Sequence, residues 1–134
     1  MYLLDTNVVS ELRRSRPHGA VLEWIAGVPA AQLFVSAVTV GEIQAGTEIT
    51  REQDSVKADE LEAWLDKVLA SYGVVPMDAA AFQAWARLMH RRSDTITEDA
   101  MIAATAIVHR LTVVTRNVRD FGQFGVELHN PFVE

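Results

Sequence analysis

The strongest constraint on the fold is a series of short apolar runs that alternate with helical segments. The runs are YLL at 2–4, LFVS at 33–36, VVP at 74–76, LTVVT at 111–115 and VELH at 126–129. Helical patterns fall between them: VVSEL after Asn7, 19–26, 37–50, 55–72, a segment capped by Asp78, and 99–109. Short unbroken apolar runs are typical of parallel strands, which are buried on both faces. The sequence therefore predicts the α/β class, with a parallel sheet of about five strands covered by helices on both faces.

Composition limits the kinds of site that this sheet can carry. The 134 residues fit one domain spanning 1–134, and the absence of cysteine excludes disulfides and thiolate metal sites. A metal ion would need oxygen or imidazole ligands. No apolar run approaches the ~20 residues of a membrane span, and Asp5 interrupts the N-terminal run early. We expect a cytoplasmic protein that does not enter membranes.

The charge distribution indicates that a basic surface alone would not explain binding of nucleic acid. Net charge is −6, which argues against a simple phosphate-binding face. Ten of the twelve basic residues are arginines, bunched near 13–16, 87–92 and 110–119. Each bunch is most simply explained as a solvated helix face. An acidic protein can still bind nucleic acid when metal ions neutralise its negative site.

Asp5 follows the first predicted strand, at a place where sheets of this class bind ligands. In open α/β sheets, ligands bind beyond the carboxyl ends of the strands, where the strand order reverses. Asp5, Thr6 and Asn7 are equally good helix caps. Taken alone, this stretch leaves capping and ligand binding evenly balanced.

Glu42 lies in a segment that is otherwise small and apolar. On a helix over 37–50, its face is shared by Val38, Ala45, Gly46 and Ile49. We expect this face to point inward, with Gly46 allowing another segment to approach closely. An unpaired carboxylate there would carry a large desolvation penalty, so a cation is favoured over a buried ion pair.

Two further acids have a comparable setting. Asp99 shares a face with Ile102 and Ala103 at the start of a predicted buried helix, where it could instead merely interact with the helix dipole. Asp120 follows the strand that ends at Thr115, and in isolation an Asx-turn or a cap explains it better.

Taken together, the four acids predict a metal site. Like charges in one cleft raise each other's pKa unless a cation compensates them. Oxygen-only ligands favour Mg²⁺ or Mn²⁺, and such ions support phosphoryl chemistry. The residues themselves lead to metal-assisted phosphoryl chemistry and no further.

The chain resembles the PIN-domain ribonucleases, specifically toxins of the VapC and FitB kind from type II toxin–antitoxin pairs. The resemblance rests on LLDTNVVSEL, VSAVTVGEIQAG, EDAMIAATA, VVTRNVRDF and HNPF, which occur in the expected order across almost the whole chain. Each motif is weak alone, and the set is highly specific. The resemblance implies a twisted PIN-like sheet.

The resemblance also implies an activity and a set of site residues. The activity is Mg²⁺- or Mn²⁺-dependent endoribonuclease cleavage by an activated water. Asp5, Glu42 and Asp99 would hold the principal ion, with Asp120 at a second or weaker position. The polar supports would be Thr6, Asn7, Thr115 and Asn117. Candidate RNA contacts are Arg91, Arg92 and Arg116.

The implied partners are RNA and a cognate antitoxin, whose tail would occupy the active-site groove. Such toxins usually form a homodimer or a larger toxin–antitoxin assembly, and DNA is bound only through the antitoxin. The chain departs from the family before the EDAMIAATA helix, where RRSDTIT replaces a Gly-Arg-Pro-like run. This leaves the roles of Asp94 and Glu98 open.

Two other functions remain as alternatives. A PIN-like fold could bind RNA or a partner with little turnover, and sequence alone does not exclude this. An aspartyl-phosphate phosphotransferase also places an aspartate after its first strand. That chemistry normally needs an acid two residues later and a nearby lysine. Here the residue is Asn7, and the only lysines are Lys57 and Lys67.

Overall fold

The computed structural model describes residues 1–133, and their strands form one parallel sheet. The strands are β1 (Tyr2–Leu4), β2 (Leu33–Ser36), β3 (Gly73–Val75), β4 (Thr112–Val114) and β5 (Leu128–His129). Their order is β3-β2-β1-β4-β5, and every neighbouring pair is parallel. The predicted α/β class is confirmed, and each strand lies within two residues of its predicted bounds.

Helices connect the strands and cover both faces of the sheet. They are α1 (Thr6–Glu11), α2 (Gly19–Ala26), α3 (Ala37–Arg51), α4 (Ser55–Ser71), α5 (Ala79–Met89), α6 (Thr97–His109) and α7 (Val118–Phe121). The short α7 was not predicted. Within residues 1–133, no helix has both the length and the apolarity needed to cross a bilayer.

The core has two layers because successive strand residues point to opposite faces. Leu3 packs in a cluster with Ile102 of α6 and Phe121 of α7. The next residue, Leu4, packs on the other face with Val8 of α1 and a second set that includes α2 and α4. Burial on both faces explains why the strands are continuous apolar runs in the sequence.

The strand order places a crevice between β1 and β4. Chain connections run from β1 towards β2 and β3 on one side, and from β4 to β5 on the other. The direction of winding therefore reverses between β1 and β4, and this is where open parallel sheets bind ligands. Asp5 follows β1 at this point, and Thr115 follows β4.

Candidate functional site

Asp5 is held rigidly at the carboxyl end of β1. Asp5 is 4% exposed, and its backbone N–H donates to the Val114 carbonyl at 2.9 Å. Its Oδ1 accepts from the Thr6 N–H at 2.8 Å, and Oδ2 accepts from the Asn7 amide at 3.0 Å. Asp5 is thus itself the N-cap of α1. Of the three candidate caps in the sequence, the structure selects Asp5 rather than Thr6 or Asn7, because the helix already begins at Thr6.

Burial makes ionisation of Asp5 costly. It raises the pKa of the carboxyl from 3.8 to about 6, although hydrogen bonds from Thr115 and Thr6 act in the opposite direction. The negative charges of Asp99 and Glu42 raise the pKa further. A cation placed near Asp5 would relieve both the burial cost and the repulsion.

Thr115, at the end of β4, joins the two central strands through its hydroxyl. Its Oγ1 donates to Asp5 Oδ2 at 2.8 Å, and it accepts from the Asn117 N–H at 2.9 Å and the Asn7 amide at 3.3 Å. The Asn7 side-chain oxygen in turn accepts from the Arg116 N–H at 3.3 Å. All four expected polar supports, Thr6, Asn7, Thr115 and Asn117, therefore belong to one hydrogen-bond network around Asp5.

Glu42 reaches the site from an open surface rather than from the core. The expectation that its face is buried is wrong: Glu42, Ala45 and Gly46 are exposed, and Ile49 is 68% exposed. A Cβ added at Gly46 would meet nothing within 4 Å, so no segment packs closely there. The side of α3 that faces the core instead carries Thr39 and Thr47.

Thr6 connects Glu42 to the strand end. Its hydroxyl donates to Glu42 Oε1 at 2.8 Å and lies 3.0 Å from the Thr39 hydroxyl. Desolvation of the carboxylate at the mouth of the cleft raises the pKa of Glu42, against the effect of this hydrogen bond. The charges of Glu98 and Asp99 raise it further.

Asp99 and Asp120 share one amide donor. Asp99 is in the first turn of α6, Asp120 is in α7, and the Asn117 amide donates to Asp120 Oδ2 at 2.9 Å and to Asp99 Oδ2 at 3.4 Å. The pKa of Asp99 is raised by desolvation first, then by the charges of Asp120 and Glu98. The four predicted acids are therefore neighbours: the charges of Asp99 and Glu42 act on Asp5, and the charge of Asp120 acts on Asp99.

The cleft is negative, and no basic side chain within residues 1–133 forms an ion pair with its four acids, Asp5, Glu42, Asp99 and Asp120. Over the same residues, no three acidic or histidine side chains stand in a chelating arrangement. The acids are thus near enough to repel each other, but as placed they do not form a closed coordination shell.

The three candidate RNA-contacting arginines differ in how they are held. Arg91 is exposed and has a left-handed backbone, with φ of 63°. Arg92 donates to the carbonyls of Leu88 and Gln123 and lies over Phe124, so much of its donor capacity is used internally. Arg116 is next to Thr115, and its guanidinium lies 3.8 Å from the centre of the Phe132 ring. Their contact with RNA stays a prediction.

Sequence reasoning missed Thr39 and underrated Glu98. The only available signal for Thr39 was a threonine three residues before Glu42, which alone is too common to be informative. The sequence left the role of Glu98 open, and its side chain is exposed. Its charge nevertheless acts on both Glu42 and Asp99, so it belongs to the same negative field.

A family model described as the PIN domain matches residues 2–126 of this chain. The chain belongs to the PIN-domain family. Its five-stranded parallel sheet is therefore a PIN-like fold, as the sequence motifs implied.

Individual PIN-domain proteins match over almost their full length. The VapC ribonuclease Y4jK of Sinorhizobium fredii is 34% identical, with 98% of each chain covered. Toxin FitB of Neisseria gonorrhoeae is 30% identical, over 98% of this chain and 99% of that protein.

Solved structures agree with these matches. The crystal structure of FitAcB from Neisseria gonorrhoeae has a TM-score of 0.86 at 31% identity, covering 98% of this chain and 99% of the other. A structure of FitAB bound to the IR36 DNA fragment also has a TM-score of 0.86, at 29% identity, covering 100% and 97%.

Proposed function

We propose that this PIN domain is a metal-dependent endoribonuclease that acts as the toxin of a toxin–antitoxin pair. The observation that carries the proposal is the group of uncompensated carboxylates at the crevice between β1 and β4. Asp5 is the buried member, and its pKa is raised first by burial and then by the charges of Asp99 and Glu42. Relatives of similar length that are named ribonuclease and toxin support the same function.

The donor set fits Mg²⁺ or Mn²⁺, because every candidate ligand is a carboxylate oxygen. Asp5, Glu42 and Asp99 would hold the principal ion, and Asp120 would complete a second or weaker position. When bound, such an ion lowers the pKa of a water and stabilises the leaving oxygen of a phosphodiester. The chain's own contribution is to orient Asp5 through Thr115 and Asn7 and to keep the acids at one edge.

The remaining polar groups prepare the site for this role. Thr6 holds the Glu42 carboxylate at 2.8 Å while its own N–H binds Asp5, so one residue aligns two ligands. Asn117 does the same for Asp99 and Asp120. Groups that fix the orientation of metal ligands typically contribute ~10–100-fold to affinity or activity.

The partner of this toxin would be an antitoxin protein. The FitAB structure contains DNA, which supports an assembly that binds DNA through the antitoxin rather than through this acidic chain. A cationic side chain of the antitoxin could occupy the negative cleft and block it. The dimeric state expected from the resemblance stays a prediction.

The alternatives are less well supported. A phosphotransferase would need a lysine at the site, but Lys57 and Lys67 both lie on α4, and Lys57 pairs with Glu60. A PIN-like module that only binds RNA does not need four neighbouring acids, whose charges repel phosphates. A measurement of RNA cleavage distinguishes the RNA-binding module from the nuclease.

The test is cleavage of a fluorescent RNA pool by antitoxin-free protein in Mn²⁺, in Mg²⁺ and in EDTA. We expect cleavage with either ion and none in EDTA. Asp99→Asn should remove it, whereas Asp66→Asn, an exposed acid of α4, should leave it unchanged. Folded wild-type protein that binds RNA but never cleaves it with either ion would favour the binding module.

A further inference from the structure

One face of α1 extends from the acidic cleft into a separate groove. Thr6, Ser10 and Arg13 are spaced i, i+4 and i+7, so they lie along one side of the helix and the turn that follows it. All three line a cavity of about 200 Å³ between α1, α3 and α4. Glu42 lines the same cavity, which therefore begins at the site acids and contains Arg13 among its lining residues.

Neighbouring side chains fix the loop that carries Arg13. Glu11 is 5% exposed, and its Oε2 accepts from the His18 N–H at 3.2 Å. Its Oε1 accepts from Arg14 at 3.4 Å. Arg14 is thus held by Glu11, whereas Arg13 takes part in none of the ion pairs found within residues 1–133.

The α3 side of the groove is open at Gly46. Gly46 and Thr50 follow Glu42 at i+4 and i+8 and line the cavity with it. A Cβ at Gly46 would have open space around it, so the groove is unobstructed at this position. The result is a groove of mixed polar and apolar lining, with the Glu42 carboxylate at one end and Arg13 in its wall.

We propose that this groove binds the RNA backbone and that Arg13 holds a phosphate next to the one that is cleaved. The inference rests on the proposed ribonuclease function. RNA must approach a cleft that repels phosphates, and an arginine in the adjoining groove supplies the opposite charge. Arginine suits this role because its planar guanidinium binds phosphate oxygens in pairs, and such contacts position a nucleic acid without reading its sequence.

Arg13→Ala and the matched neighbour Arg14→Ala separate a phosphate contact from a general charge effect. Each removes one positive charge from the same loop. Binding is measured in an Asp99→Asn background, with a random pool of single-stranded RNA over a range of salt concentrations. One phosphate contact on a single strand contributes ~0.7 to the slope of log K against log salt. We expect Arg13→Ala to reduce the slope by that amount, Arg13→Lys to retain it and Arg14→Ala to leave it unchanged.

Kinetics with Asp99 intact give a second readout. Arg13→Ala should raise KM about 10-fold and leave kcat almost unchanged, as loss of a contact made equally in the ground and transition states does. Gly46→Met should have a similar effect by filling the groove. Melting temperatures close to wild type for all variants exclude unfolding as the cause.

The outcomes distinguish this inference from the function on which it rests. An unchanged salt slope and KM in Arg13→Ala, with wild-type protein cleaving RNA, overturns the role of Arg13 alone. The same result with a weakened antitoxin complex assigns the groove to the antitoxin and also overturns it. Wild-type protein that cleaves no RNA overturns the proposed function, whatever the slope. A salt slope that falls in Arg13→Ala supports the contact between Arg13 and an RNA phosphate, whether or not wild-type protein cleaves RNA.

Discussion

The two halves of the acidic cleft are built differently. The strand half consists of Asp5, Asn7 and Thr115, which hydrogen bonds join at the buried ends of β1 and β4. The helix half consists of Glu42, Asp99 and Asp120, carried by α3, α6 and α7. Glu42 has one hydrogen bond from Thr6, and Asp99 shares the Asn117 amide with Asp120.

This difference suggests a division of labour. The strand half is pre-organised, because Asp5 cannot turn without breaking several buried hydrogen bonds. The helix half has fewer restraints and is not in chelating geometry within residues 1–133. We therefore expect an ion to bind to Asp5 first and to draw the helix acids inward.

The largest expected effect is on catalysis by Asp5→Asn. Because Asp5 is both rigid and buried, we expect loss of its charge to lower metal-dependent cleavage by more than ~100-fold, beyond the usual effect of losing a supporting group. Glu42→Gln should lower it less, since the exposed helix half can rearrange. Initial rates at saturating Mn²⁺ compare the two. Equal losses would show that the halves are not distinct.

The second expected effect is on stability as a function of pH in metal-free protein. The folded pKa of Asp5, about 6, lies above its ordinary 3.8, so the folded state binds more protons between these values. The free energy of unfolding should therefore fall as pH rises through that window and level off above it. At ~1.4 kcal/mol per pKa unit, the loss is ~3 kcal/mol.

Urea unfolding in EDTA at pH 4 to 7 measures this loss. Asp5→Asn should flatten the dependence of the free energy of unfolding on pH, and it should be more stable than wild type at pH 7. This gain is reduced by the loss of the hydrogen bond that the Asn7 amide donates to Asp5. Because the pKa values of Glu42 and Asp99 are also raised, a smaller fall in the same direction should remain. Wild-type stability that rises from pH 4 to 6 would contradict the burial of Asp5 as an uncompensated acid.

Thr115→Val tests the hydrogen bonds of the strand half with little change of shape. It removes the donor to Asp5 and the acceptor for Asn117, so we expect metal affinity and activity to fall ~10–100-fold. Thr105→Val is the matched control. Thr105 is also fully buried, but its hydroxyl donates within α6 to the Met101 carbonyl. Similar losses in both variants would indicate a general packing effect.

Thr6→Val should have the smallest effect on activity, in the range of a few-fold. It removes the hydrogen bond to Glu42 but keeps the Thr6 backbone N–H that binds Asp5. Glu42 is exposed, so water can replace the lost donor. Steady-state kinetics of Thr6→Val and Thr115→Val, measured under the same conditions, compare the two losses of activity. A larger loss in Thr6→Val than in Thr115→Val would reverse the proposed order of rigidity.

Much of the strand half could be predicted from the sequence. Parallel strands buried on both faces give unbroken apolar runs, and a polar residue directly after such a run is placed at the sheet edge. That reasoning located Asp5 and Thr115. It did not show that Asp5 caps α1, because Thr6 and Asn7 have the same capping preference.

The helix half was harder to predict. Small apolar residues around Glu42 suggested burial, yet Ala45, Gly46 and Ile49 face outward. Such residues are compatible with a close helix contact and with an open groove, and only the packing of α4 against α3 separates the two. The strand order also depends on the long connection from β3 to β4, which no local pattern encodes.

The most direct test of the central claim is a calorimetric titration of metal-free protein with Mn²⁺ at pH 7.5. We expect saturable binding by wild type, loss of that binding in Asp5→Asn and only weaker binding in Glu42→Gln. Affinity should also fall at pH 5, where Asp5 is largely protonated. Wild-type affinity retained by Asp5→Asn would contradict an ion held at the end of β1.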